Sequence, residues 1–149
     1  MTIDEIFAEW DIDSKIDRTE LGKEATGIPK LHNKYYRMYI NEKLKLIQQE
    51  ADLKHISAIR YDFYSGSIDD DTLEEMGWKE EFQNLGRRTI LKTEIPRYLE
   101  SDKIIIDKTL KIAAQKEKVG LLDSIIKSFV NRGFLVKNAI EWARFQTGS

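Results

Sequence analysis

Ile105, Ile112, Val119 and Ile126 stand seven residues apart, and Leu122 and Phe129 occupy the matching d positions. A β-branched residue at every a position is the pattern of helices that pack side by side along an apolar seam, so this stretch must form one long helix. A second stripe, Ile106, Leu110, Ala113, Leu121 and Ile125, lies beside the first. One helix with two apolar stripes needs two partners. Those partners fit either a bundle within the monomer or a packing in which one stripe meets another subunit. The chain has 149 residues, 41% hydrophobic and 34% charged, which favours a core completed by further copies. The seam residues Ile105, Ile112, Val119, Leu122, Ile126 and Phe129 are therefore the candidate subunit interface.

The rest of the chain reads as helix as well. Thr2 and Glu5 have the spacing of a capping box ahead of Ile3, Ile6, Phe7 and Trp10, which predicts a short N-terminal helix. Asp17 and Glu20 repeat the device, and the helix they start should break or kink at Gly27, Ile28 and Pro29. From Pro29 to Tyr64 there is no further Gly or Pro, and Leu31, Tyr35, Met38, Ile40, Leu44, Ile47 and Ala51 recur at helical spacing. Ser65, Gly66 and Ser67 end this long helix. A second long helix is expected from Pro96 to Arg132, with Gly133 as its C-cap or hinge and a short last helix holding Val136, Ile140, Trp142 and Phe145. Arg87 to Leu91 fits a short extended piece. The expected fold is all-α, with at most that minor β element: a single domain over residues 1–149, built of two long antiparallel helices plus short terminal helices.

Charge is sorted by segment. Between Lys30 and Arg60, seven cations face three carboxylates, net +4. Between Asp69 and Glu81, seven carboxylates face the single cation Lys79, net -6. The overall net charge of -2 is thus a poor guide to partners. The acidic stretch lacks the alternating ligands and central Gly of a calcium loop, and reads as solvated surface. His32 and His55 have no ligand set near them in sequence, and the chain has no cysteine. No phosphate-binding Gly-rich loop and no nucleophile beside a base is present, so the reading is a protein that is not an enzyme, with no metal and no cofactor. The first residues do not read as a signal peptide, and no apolar run approaches the roughly 18 residues of a spanning helix. The expected location is the cytoplasm of a host cell, away from membranes.

The cationic helix ends in Arg60-Tyr61-Asp62-Phe63-Tyr64-Ser65-Gly66. Cations that track phosphates beside rings that stack on bases are the means by which single strands are held. Arg60, Lys54, Lys45, Tyr61 and Tyr64 are the candidate DNA contacts, with Arg87 and Arg88 next in line. The same residue types also fit a structural role, in which Phe63 and Tyr64 are core and Arg60 pairs with Asp62 or the acidic stretch. That segment resembles the Arg-x-Asp-Tyr-Tyr-Ser-Gly segment of the UvsY family of phage recombination mediators. The run Arg132-Gly133-Phe134-Leu135-Val136-Lys137, closing on Trp142-Ala143-Arg144-Phe145, is similar to that family's Arg-Gly-Phe-x-x-Lys ending.

The resemblance implies a ring-like homo-oligomer that binds single-stranded DNA. It also implies that the protein helps a phage RecA-type recombinase load onto strands covered by single-strand-binding protein, without nucleotide hydrolysis. The family's DNA-contacting pair is a Lys two positions before the Arg. Here Arg60 matches and Ala58 stands at the Lys position, with Lys54 as the nearest replacement charge. The competing reading is a helical scaffold or adaptor whose work is assembly alone, which shares the coiled-coil stripe but has no need of Arg60 or the cationic helix.

Overall fold

The computed structural model describes residues 1–85 and 90–148. Six helices follow in order: α1 (Ile3–Asp13), α2 (Leu21–Ser65), α3 (Asp70–Met76), α4 (Lys79–Leu85), α5 (Ile95–Glu100) and α6 (Lys103–Thr147). None of the described residues is in a strand. Of the extended piece expected at Arg87 to Leu91, Arg87 and Arg88 lie outside the described residues, and Leu91 is in neither helix nor strand. The chain divides into two compact units, Met1–Lys45 with Ala114–Ser149, and Leu46–Ala113.

In the first unit, α1 starts on the expected capping box: the Glu5 amide donates to Thr2 Oγ1 at 3.1 Å, and the Thr2 amide donates to Glu5 Oε2 at 2.8 Å. The α1 end is closed by a distant residue. Arg132 Nη1 donates to the Asp13 carbonyl at 2.6 Å and Nη2 to the Lys15 carbonyl at 3.1 Å, which satisfies acceptors that the helix end leaves open. Pairs between the long helices run in opposite order along the chain: Glu24 with Arg132, Tyr35 with Phe129, Glu42 with Gln115. The segments of α2 and α6 here are therefore antiparallel. Their seam buries Ile6, Tyr35, Leu122, Ile125 and Phe129, with Trp10 set edge-on to Tyr35 at 5.4 Å and to Phe129 at 5.7 Å.

Neither Pro29 nor Gly133 ends its helix, and both continuations have the same cause. Pro29 removes an amide donor and crowds the preceding turn, at a cost of about 3 kcal/mol, yet α2 runs through it. The turn before Pro29 is fastened independently, because Glu24 takes hydrogen bonds from Arg132 at 3.0 Å and from the Asp17 amide at 3.2 Å, while Ile28 and Leu31 pack on the core beyond it. Asp17 itself does not form a second capping box. Its side chain accepts from the Thr19 amide at 2.9 Å, and α2 begins only at Leu21. Gly133 lies inside α6, because Phe129, Arg132 and Val136 are buried on both sides of it and their packing outweighs the roughly 1 kcal/mol that an interior Gly costs.

In the second unit, α2 ends as expected at Gly66, whose φ of +80° a residue with a side chain adopts only at a cost. The acidic stretch is more ordered than a solvated loop. Asp69 caps α3 through the Thr72 amide at 3.1 Å, and Gly77, at φ +72°, closes it and turns the chain into α4. The carboxylates stay at the surface, while Leu73 and Trp78 turn inward onto Ile56 and Phe63. α5 takes Pro96 in its first turn, as the sequence implies, but ends at Glu100, and a new helix begins at Lys103.

Phe129 lies among Trp10, Tyr35 and His32 with 4% of its surface exposed. Its replacement by Ala should lower unfolding free energy by about 3–5 kcal/mol, read from urea denaturation. A loss below about 1 kcal/mol would mean that this aromatic cluster is not the core of the first unit.

Candidate nucleic-acid interface

The residues proposed to touch DNA fall into three environments. Arg60 is enclosed. It is 2% exposed, and its guanidinium lies over the Phe63 ring at 4.2 Å, with Trp78 at 4.6 Å and Tyr64 at 5.1 Å from the ring centroids. Nε donates to Asp102 Oδ2 at 2.7 Å, Nη2 to Glu81 Oε1 at 2.9 Å and Nη2 to the Tyr64 hydroxyl at 3.1 Å. The Tyr64 hydroxyl in turn donates to Asp102 Oδ2 at 2.6 Å. Tyr64 is half-buried, with its polar end committed to this cluster, so neither residue offers a free group to a strand. In the folded chain Phe63 is core, and Arg60 pairs with Glu81 of the acidic stretch and with the distant Asp102.

Asp102 does two jobs that explain its position. It precedes α6, where its Oδ1 accepts from the Ile105 amide at 3.1 Å and so caps the helix, and its Oδ2 receives Arg60 and Tyr64. Burial works to raise its pKa, but the hydrogen bonds from Tyr64, Arg60 and the Ile105 amide, with the guanidinium charge, hold the carboxyl below its ordinary value. Burial and the Asp102 hydrogen bond push the Tyr64 phenol up to about 12. Burial works against the Arg60 charge, and Glu81 and Asp102 more than offset it. The cap signature of Asp102 is readable in Ser101-Asp102-Lys103, but its pairing with a residue 42 positions away is not.

Lys54 and Tyr61 are the second environment. Both are exposed, Tyr61 by 39%. Lys54, Ala58 and Tyr61 are spaced four and three apart, which sets them on one face of α2, roughly a quarter turn or more away from the buried face that carries Arg60. The position of the family's Lys therefore falls on the exposed face, and Lys54 presents its charge there one turn earlier. Lys45 is the third environment. Its ammonium lies 3.4 Å from Glu42, a carboxylate with 3% exposure that also takes Gln115 Nε2 at 2.7 Å and lies 3.5 Å from Lys118. Burial works to raise the Glu42 pKa, and Gln115, Lys118 and Lys45 hold it low, so Lys45 serves a carboxylate of its own chain. Arg87 and Arg88 lie outside the described residues.

The residues expected at the subunit interface are largely covered within the single chain. Ile112, Val119, Leu122 and Phe129 are each 7% exposed or less in the single chain, and Ile105 and Ile126 are half-buried. A heptad seam records that a helix is covered, not which chain covers it, and here α2 and the shorter helices do so. The exposed apolar groups on α6 are others: Ile106 and Leu110 of the second stripe, then Val130, Phe134, Leu135, Trp142 and Phe145.

Arg60→Ala should cost about 3–5 kcal/mol, because it strands the buried Asp102 carboxylate. Loss of DNA affinity in that variant should therefore come with a lower melting temperature; an unshifted melting temperature would contradict the enclosed geometry. The folded Asp102 carboxyl titrates below its unfolded value of 3.8, so its stabilising effect is complete above about pH 4 and is lost as pH falls further. Asp102→Asn should be less stable than the parent at neutral pH and lose less on acidification, measured by urea denaturation at pH 3 and pH 7.

The family model described as "Recombination, repair and ssDNA binding protein UvsY" matches residues 9–149. The recombination protein uvsY of Enterobacteria phage T4 is 24% identical over 152 residues, covering 99% of each chain. Two crystal structures of the bacteriophage T4 recombination mediator protein UvsY share the fold. One superimposes with a TM-score of 0.80 at 23% identity, over 97% of this chain and 99% of the other. The second gives 0.77 at 20% identity, over 99% and 98%. The aromatic-basic end of α2, the Arg-Gly-Phe stretch of α6 and a match over nearly the whole length agree: the chain belongs to the UvsY family of recombination, repair and single-stranded-DNA-binding proteins.

Proposed function

We propose that this protein is a recombination mediator. It binds single-stranded DNA as a homo-oligomer and helps a phage RecA-type recombinase load onto strands covered by single-strand-binding protein, in the cytoplasm of the host cell. The observation that carries the reading is family membership over residues 9–149. The exposed face of α2 supports it: Lys54 supplies a phosphate contact and Tyr61 a ring for base stacking, while Arg60 holds the helix end in place from behind. Binding of this kind reads no base edges and tolerates sequence.

The apolar groups that the single chain leaves exposed support assembly. Leu110 is 63%, Phe134 62%, Trp142 61% and Phe145 75% exposed, all on α6. Large apolar side chains in such numbers on one helix are a typical mark of a protein contact surface. A second copy of the chain is the occupant that the mediator reading requires, because an oligomer displays the Lys54–Tyr61 face once per subunit and so multiplies a weak contact along a strand.

Fluorescence anisotropy of a labelled oligonucleotide at several salt concentrations tests the DNA contact. Affinity should fall log-linearly with salt, and Lys54→Ala should reduce the slope by about 0.7 for the one phosphate lost. Absence of binding at low salt would sink the mediator reading. For assembly, Leu110→Asp combined with Phe134→Asp should lower the mass seen by light scattering while leaving helicity intact, since both side chains are already exposed in the single chain. An unchanged mass would place the subunit contact elsewhere.

A further inference from the structure

In the second unit, Gln49 and Asp52 of α2 and Lys108, Lys111 and Ile112 of α6 line a cleft of about 60 Å3. Its polar groups are unevenly satisfied. The Asp52 carboxylate accepts from Gln48 Nε2 at 3.0 Å. Gln49 Oε1 is buried and accepts no hydrogen bond, a state that costs about 1–3 kcal/mol unless something fills it. Lys108 and Lys111, three apart on one face of α6, have no ion-pair partner among the described residues. Other cations of the long helices are ion-paired, among them Lys34 with Asp13, Lys118 with Glu42 and Lys127 with Asp123.

We propose that this cleft is a second contact for the sugar–phosphate backbone of the single strand, separate from the Lys54–Tyr61 face. Two ammoniums on adjacent turns, neither ion-paired to the Asp52 carboxylate that shares the cleft, match the two non-bridging oxygens of one phosphodiester, or one oxygen from each of two successive phosphates. The cleft has room for a bridging water but not for a base. That water donates one hydrogen to Gln49 Oε1 and the other to a phosphate oxygen, which removes the buried unpaired acceptor on binding. The contact is to backbone alone, consistent with binding that ignores sequence. The inference rests on the mediator reading for its choice of ligand.

The test is anisotropy of a labelled oligo-dT with the full chain, comparing the parent, Lys108→Ala with Lys111→Ala, and Lys103→Ala as an exposed cation outside the cleft. The double variant should lose several-fold in affinity at about 0.1 M salt, and its salt slope should fall by about 0.7 where the pair holds one phosphate and by about 1.4 where it holds two. Lys103→Ala should leave the slope within about 0.3 of the parent. Equal slopes for the double variant and the parent overturn the cleft but leave the mediator reading standing. A single Lys103 change that lowers the slope as much per charge as the cleft pair also overturns it, since the effect is then general charge. Unchanged DNA binding with lost recombinase binding assigns the lysines to an acidic protein surface instead. A parent that fails to bind DNA overturns both readings. Should the alanine pair lose helicity, Lys108→Gln with Lys111→Gln carries the same comparison.

Discussion

A helix of 45 residues whose apolar side chains follow a seam is not stable alone in water, and this chain contains two of them. Each supplies the cover that the other lacks. In the first unit the seam is made of Tyr35 against Leu122, Ile125 and Phe129, closed from the side by Ile6 and Trp10 of α1. In the second, the shorter helices α3 and α4 bring Leu73, Trp78 and Phe82 against Ile56 and Phe63. The short helices are consequences of that seam: α1, α3 and α4 are too short to persist without the surface they cover.

Buried ions fix how the seam is aligned. Glu42 with Gln115 in the first unit, held also by the half-buried Lys118, and Arg60 with Asp102 in the second, are polar groups largely closed off from water. A slip of one turn, about 5.4 Å, would leave a carboxylate or guanidinium unpaired in a poor dielectric, whereas an apolar seam alone tolerates such a slip at smaller cost. Arg132 adds a third clamp, joining α6 to Glu24 and to the carbonyls of Asp13 and Lys15 at the end of α1 and just beyond it.

This arrangement changes the meaning of the family's aromatic-basic segment. Arg60 is conspicuous in sequence as a cation beside rings, the composition of a site that holds single strands. In three dimensions Phe63, Tyr64 and Trp78 pack on Arg60 itself, so the surface of those rings is used inside the chain. What remains outside is the next face of the same helix, with Lys54, Ala58 and Tyr61. Behind that face, Arg60 ties the end of α2 to Asp102 at the start of α6.

Much was legible from local signals: the Thr2–Glu5 capping box, the end of α2 at Gly66, the helical class, and the seam from Ile105 to Phe129. These depend on residues within a turn or two of each other, where side-chain spacing maps directly onto backbone geometry. The helices continue through Pro29 and Gly133 because propensity counts a cost of a few kcal/mol locally, and contacts from residues about a hundred positions away offset it. The candidate sites meet the same limit of local signals. A heptad shows that Val119 and Leu122 are covered but not by which chain, and Arg60 beside Tyr61 and Phe63 shows an affinity for rings and anions but not whose. Sequence by itself determined which residues must be covered and which charges must be paired. Only the tertiary structure decided the partners, because the pairings of Arg60 with Asp102 and Glu42 with Gln115 join positions 42 and 73 apart, a separation over which no local periodicity carries information.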